Sequence, residues 1–177
     1  MAKKDNIVLI GMPGVGKSTV GVVLAKHMGY RFLESDLLIQ EQTGMLLHEI
    51  ISGRGLEGFI QVENDVNAGI EAHNSVIATG GSVIYGPGAM EHLKEIGTVV
   101  YLKLSCEAIR KRLGDLKERG VALKDGQTLE DLYAERVPLY RKYADLTISC
   151  GGKRIRTIVS EITARLEKEN ARWEKTD

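Results

Sequence analysis

Short apolar runs alternate with longer stretches of helical spacing along this chain. Asn6–Ile10, Arg31–Leu33, Ser75–Ala78, Thr98–Leu104 and Leu146–Ser149 are brief, mostly apolar runs and predict five strands. Val20, Val23, Leu24 and Met28 share one face of a helix predicted over Lys17–Met28. Leu37–Thr43 and Leu46–Ser52 read as helices broken at Gly44. Leu56–His73 reads as a longer helix, with Phe59, Ile60, Val66 and Ile70 among its apolar positions. Ala89–Ile96, Glu107–Leu113, Leu129–Tyr143 and Ile155–Asn170 follow as helices, and Pro138 kinks the third of these or marks a boundary in it. Such alternation predicts an α/β fold, a five-stranded parallel sheet with helices on both faces.

One segment escapes the pattern. Residues 114–128 are polar and glycine-punctuated, and a loop of that length inside a compact domain is expected to be functional or disordered. From Glu167 to the end, residues 167–177, the chain is strongly charged around Trp173, which reads as a fraying helix end or, alternatively, a docking segment. The length of 177 residues suits one domain, residues 1–177, large enough to bury a core without disulfide or structural metal.

Charge narrows the functional classes. Lys plus Arg total 24, Asp plus Glu total 24, and this balance speaks against a chain that coats nucleic acid or an anionic membrane. Cys106 and Cys150 lack metal-ligand spacing and read as free thiols in a reducing compartment. His27, His48, His73 and His92 form no H-E-x-x-H pattern, so no zinc site is expected. The N-terminal apolar stretch is too short for a signal peptide and no run reaches membrane-span length, so a cytoplasmic location is expected.

The strongest motif is Gly11-Met12-Pro13-Gly14-Val15-Gly16-Lys17-Ser18, matching G-x-x-x-x-G-K-[ST] between a predicted strand and a predicted helix. Its glycines let backbone N–H groups converge on phosphate oxygens, and the helix N-terminus adds a positive dipole end. Gly14, Val15, Gly16, Lys17, Ser18 and Thr19 are therefore expected to hold ATP, with Lys17 at the β- and γ-phosphates and Ser18 on Mg²⁺. The N-K-x-D guanine motif is absent. A small phosphate-loop protein with a polar segment at 114–128 suggests a kinase whose lid closes over the phosphates.

The chain resembles the shikimate kinase family from about Asn6 to about Leu166. The resemblance rests on the phosphate loop followed by Glu34-Ser35-Asp36, on IQEQTG with HEII, and on Gly55, Phe59 and Glu63. It rests also on Ala78-Thr79-Gly80-Gly81-Ser82, on Arg119, and on Arg136-Val137-Pro138-Leu139-Tyr140 with Ala144-Asp145. It implies catalytic roles for Lys17, Asp36 and Arg119. Asp36 would bind the acceptor hydroxyl and orient or deprotonate it, although a helix N-cap before Leu37 is a simpler role for the same residue. Glu34 would stand near Mg²⁺, Arg112 along the adenine, and Asp36, Gly80, Gly81 and Arg136 around the acceptor, with Arg136 on its carboxylate. A monomer acting on a small hydroxyl-bearing molecule is implied.

Four departures stand out. The family's acceptor-site arginine is Ile60 here, its third glycine is Ser82, the acidic residue after Gly55 is Leu56, and Arg119 is followed by Gly120-Val121-Ala122-Leu123 rather than R-P-L-L. A lost charged hydrogen bond of about 1.5–3 kcal/mol weakens carboxylate binding roughly 10- to 100-fold, so Ile60 points to an altered acceptor. Arg54 would replace the missing cation only if the backbone at Gly55 leaves the helical path. The alternatives are a divergent shikimate kinase that binds shikimate by another route, a nucleoside monophosphate kinase, for which Arg31, Arg54 and Arg136 leave room, and a non-catalytic ATP-binding module.

Overall fold

The structure, a computed structural model, describes residues 4–114, 121 and 123–173, and of Asn170, Arg172 and Trp173 the backbone alone. Arg119 and part of the 114–128 segment, residues 115–120 and 122, therefore lie outside the described residues.

Strands β1 (Asn6–Ile10), β2 (Arg31–Glu34), β3 (Ser75–Ala78), β4 (Gly97–Lys103) and β5 (Leu146–Ser149) form one sheet in the order β2-β3-β1-β4-β5. Every pairing is parallel, with Val8 of β1 opposite Ile77 on one side and Val99 on the other. β1 and β3 are buried along their whole length, as a central parallel strand with both faces covered must be.

The helices are α1 (Lys17–Met28), α2 (Ser35–Thr43), α3 (Leu47–Ala68), α4 (Pro87–Ile96), α5 (Cys106–Leu113), α6 (Leu129–Tyr143) and α7 (Ile155–Trp173). The chain crosses from β1 to β2 in one direction and from β3 to β4 in the other, so right-handed crossovers place α1 and α4 on opposite faces. α1 packs against α7, and α4 against α3. The main core joins Leu9, Val100, Leu24, Met90 and Ile162 across both layers. A second, smaller cluster of Ile39, Ile50, Phe59 and Val66 sits between α2 and α3.

Two expectations are corrected. The helices read as Leu46–Ser52 and Leu56–His73 are indeed separated, by a kink at Gly55 (φ 71°, ψ 177°) inside α3, but the second ends at Ala68 rather than His73. The left-handed φ at the kink is what glycine permits without strain. Pro138 bounds nothing, because α6 runs through it from Thr128, whose hydroxyl accepts from Asp131 N–H while Asp131 accepts from Thr128 N–H. A short 3-10 turn, Val83–Tyr85, after β3 had no periodic signal in the sequence. Asp145 joins the start of β5 to β4. Its backbone N–H donates to the Val99 carbonyl, and its carboxylate accepts from Val99 N–H. Among the described residues no helix is long and apolar enough to cross a membrane.

Candidate active site

In an open parallel sheet the connections at the carboxyl ends of the strands converge where the strand order reverses. Here that point lies beside β1. The phosphate loop, Gly11–Gly16, leaves β1 with Gly14 and Gly16 at φ 79° and 100° and is anchored by buried Met12 and Val15. β2 ends at Glu34, β3 runs into the loop Thr79–Ser82, and Thr79 ties that loop to β1, just ahead of the phosphate loop, by donating to the Leu9 carbonyl at 2.8 Å. Between the two loops opens a cleft of about 430 Å³ that includes Lys17, Asp36, Glu63, Gly80 and Arg136. A wider surface hollow of about 1070 Å³ lies around Arg31, His73 and His92, away from every one of those residues.

On the nucleotide side, Lys17 is buried, and its ammonium donates to the Gly11 and Met12 carbonyls at 2.7 and 3.0 Å. Burial pushes it down to about 8 against the opposing pull of Asp36. Ser18 donates to Glu34 Oε1 at 2.8 Å, so hydroxyl and carboxylate form a pair of hard oxygen donors at the loop exit. Burial raises the Glu34 carboxyl and the Ser18 hydrogen bond draws it back. Gly14, Gly16 and Thr19 line the same cleft, while Val15 is buried behind it. Arg112 donates to the Val15 carbonyl at 3.1 Å, and so lies against the loop from α5.

On the other side, Asp36 occupies the first turn of α2. The N-cap position is Glu34, so the capping role open to Asp36 in the sequence is not the one it has. Burial raises its carboxyl, and Lys17 opposes that. Gly80 and Gly81 allow a close approach: a Cβ on Gly80 would sit 2.5 Å from Glu63 Oε1 and 2.9 Å from Asp36 Oδ1, and one on Gly81 would sit 2.9 Å from an Arg136 nitrogen. Two carboxyls thus meet the first glycine and a guanidinium the second. Arg136 is 1% exposed, lies over the Tyr85 ring, and donates from Nε to the Tyr85 hydroxyl. Tyr140 closes the floor by donating to the Gly81 carbonyl at 2.6 Å.

The sequence assigned no role to Glu63 beyond its match to a motif. It is 1% exposed, accepts from Ser82 at 2.5 Å, and is pushed up to about 7 by burial. A carboxyl with a folded pKa above its unfolded value stabilises the fold fully below about 4.5, and that contribution is lost as pH rises through 7. The loss amounts to about 3 kcal/mol. Urea denaturation of wild type and Glu63→Gln from pH 4.5 to 8 is expected to show the wild type losing ground against the variant as pH rises. A constant difference would contradict this.

Among the described residues no group of three or more His, Cys, Asp or Glu could hold a metal by itself. Ser18 with Glu34 still fits Mg²⁺, which takes few protein ligands and completes its shell with phosphates and waters. Leu56 packs on the second apolar cluster, and Ile60 is half-buried with no guanidinium in its place. The kink at Gly55 does divert the chain beside Arg54, but that residue is exposed and outside the cleft.

Residues 13–167 match the protein family Shikimate kinase. The chain is 39% identical over 173 residues to a shikimate kinase of Francisella philomiragia, covering 96% of this chain and 98% of that protein. The fold is similar to that of a shikimate kinase from Acinetobacter baumannii in complex with shikimate, with TM-score 0.85, 34% identity and coverage of 94% and 95% of the two chains. It is also similar to a shikimate kinase from Aquifex aeolicus, with TM-score 0.79, 31% identity and coverage of 93% and 98%.

Proposed function

Because the chain belongs to the shikimate kinase family, and is thus an ATP-dependent kinase acting on a hydroxyl, we propose that its acceptor is a small hydroxylated carboxylate of shikimate's class, bound through a site altered at position 60. The observation that carries this reading is the pair of glycines, with carboxyls against Gly80 and a buried guanidinium against Gly81. Such a cleft suits a molecule with a hydroxyl at one end and an anion at the other.

Arg136 binds the acceptor carboxylate, for which its planar donor set is suited. That contact turns the reacting hydroxyl toward Asp36, which accepts its proton as the hydroxyl oxygen bonds to the γ-phosphorus. The bond from that phosphorus to the bridging oxygen breaks, and ADP leaves. Little covalent help is needed, so most of the catalysis is positioning and charge compensation. Lys17 supplies the compensation, with Arg119 proposed beside it. Gly14 to Thr19 wrap the phosphates, and Arg112 lies toward the base. Ser18 and Glu34 would hold Mg²⁺, which when bound supplies charge neutralisation at phosphate oxygens.

The test is ADP release with ATP, Mg²⁺ and shikimate. Ile60→Arg is expected to lower the shikimate KM about 10- to 100-fold and leave the ATP KM unchanged. A wild-type kcat/KM on shikimate of about 10⁴ M⁻¹s⁻¹ or more would refute the altered site and make shikimate itself the acceptor.

A further inference from the structure

Position 82 lies deep in the cleft wall. Ser82 is 5% exposed and its hydroxyl donates to Glu63 Oε2 at 2.5 Å. The other oxygen of that carboxyl, Oε1, is buried without a hydrogen-bond partner among the described residues and faces Gly80, on the side of Asp36. Burial opposes charge on this carboxyl, Ser82 and the positive Arg136 and Lys17 favour it, and Asp36 works against it. Residue 60 precedes Glu63 by three positions on α3, past the break at Gly55, so the two side chains are neighbours on one helix face. A cation at position 60 would lie beside the same carboxyl, and Ile60 provides none.

We propose that Ser82 is a positioning residue for the acceptor half of the cleft, holding Glu63 against Gly80 where no cation stands at position 60. The apolar residue at 60 and the hydroxyl at 82 then form one coupled change. Without the Ser82 hydroxyl the buried carboxyl has both oxygens unsatisfied and turns away from Gly80. Asp36, which meets the same glycine, loses its fixed neighbour. The acceptor side is disturbed, whereas the phosphate loop, held by its own carbonyl and core contacts, is not. This rests on the acceptor site proposed above.

The experiment is a double-mutant cycle on the full chain with Ser82→Ala and Ile60→Arg, measuring KM and kcat for shikimate and for ATP. Ser82→Ala is expected to raise the acceptor KM about tenfold with Ile60 present, and less than about twofold with arginine at 60. The ATP KM is expected to stay constant throughout, and Ser82→Thr, which retains the hydroxyl, to behave as wild type. Equal effects in the two backgrounds, or an ATP KM that rises with the acceptor KM, would overturn the proposal. If no variant turns over shikimate or any of a panel of hydroxy acids, the functional reading has failed. The coupling is then read from urea midpoints of the four proteins, where a non-additive cycle supports it and an additive one refutes it.

Discussion

A Lys17→Ala enzyme is expected to lose phosphoryl transfer by about 10³-fold in kcat. Removing one preorganised donor from a developing oxyanion costs about 10²- to 10³-fold, and Lys17 does more than donate. Its ammonium is buried against the Gly11 and Met12 carbonyls and faces Asp36, Glu34 and Glu63 across the cleft. Without it the transferring group meets three carboxyls with less positive charge to oppose them. Burial has already brought the ammonium down to about 8, so in the nucleotide-free protein it releases its proton in mildly alkaline solution. Triphosphate oxygens would hold the charge in place. Single-turnover rates at saturating ATP check this, and a loss of only a few-fold would remove Lys17 from the reaction.

Asp36→Asn is expected to lower kcat by about 10²- to 10⁴-fold, the range for a lost proton acceptor, with the ATP KM within a factor of about three. Asparagine retains the shape and a carbonyl oxygen but cannot take the hydroxyl proton. Stability should hold. Burial disfavours the Asp36 charge, and the residue caps no helix end, so its neutralisation removes a cost rather than a support. A variant that folds and turns over normally would show that Asp36 only shapes the cleft.

Much of this was legible in the residues. The phosphate loop, with strand before and helix after, declared both its position and its ligand, and α1, β3, α6 and β5 begin and end where periodicity and turn residues put them. What stayed hidden depends on partners far away in the chain. The two helical stretches on either side of Gly55 were legible, but not that Ile50 before it and Phe59 after it are buried in the same small cluster. Ser82 looked like a missing glycine, and its bond to Glu63, 19 residues earlier, exists only once the turn after β3 packs on α3. Tyr140 gave no sign that its hydroxyl closes on Gly81. Glu63 was the missed residue. A glutamate in a helical stretch reads as solvated surface, and the signal available was its helix face, shared with buried Phe59 and Val66.

The small cluster between α2 and α3 has a consequence for how such a chain can change over generations. The phosphate loop rests on the large core, whereas the buried apolar side chains of the elements carrying Asp36 and Glu63 gather in Ile39, Ile50, Phe59 and Val66, with Leu38 touching both clusters and α3 also lying against α4. A substitution in the smaller cluster falls on side chains other than Met12 and Val15, which anchor the phosphate loop in the main core. The enzyme can therefore try new acceptors in one module while its donor chemistry stays under separate and stricter selection.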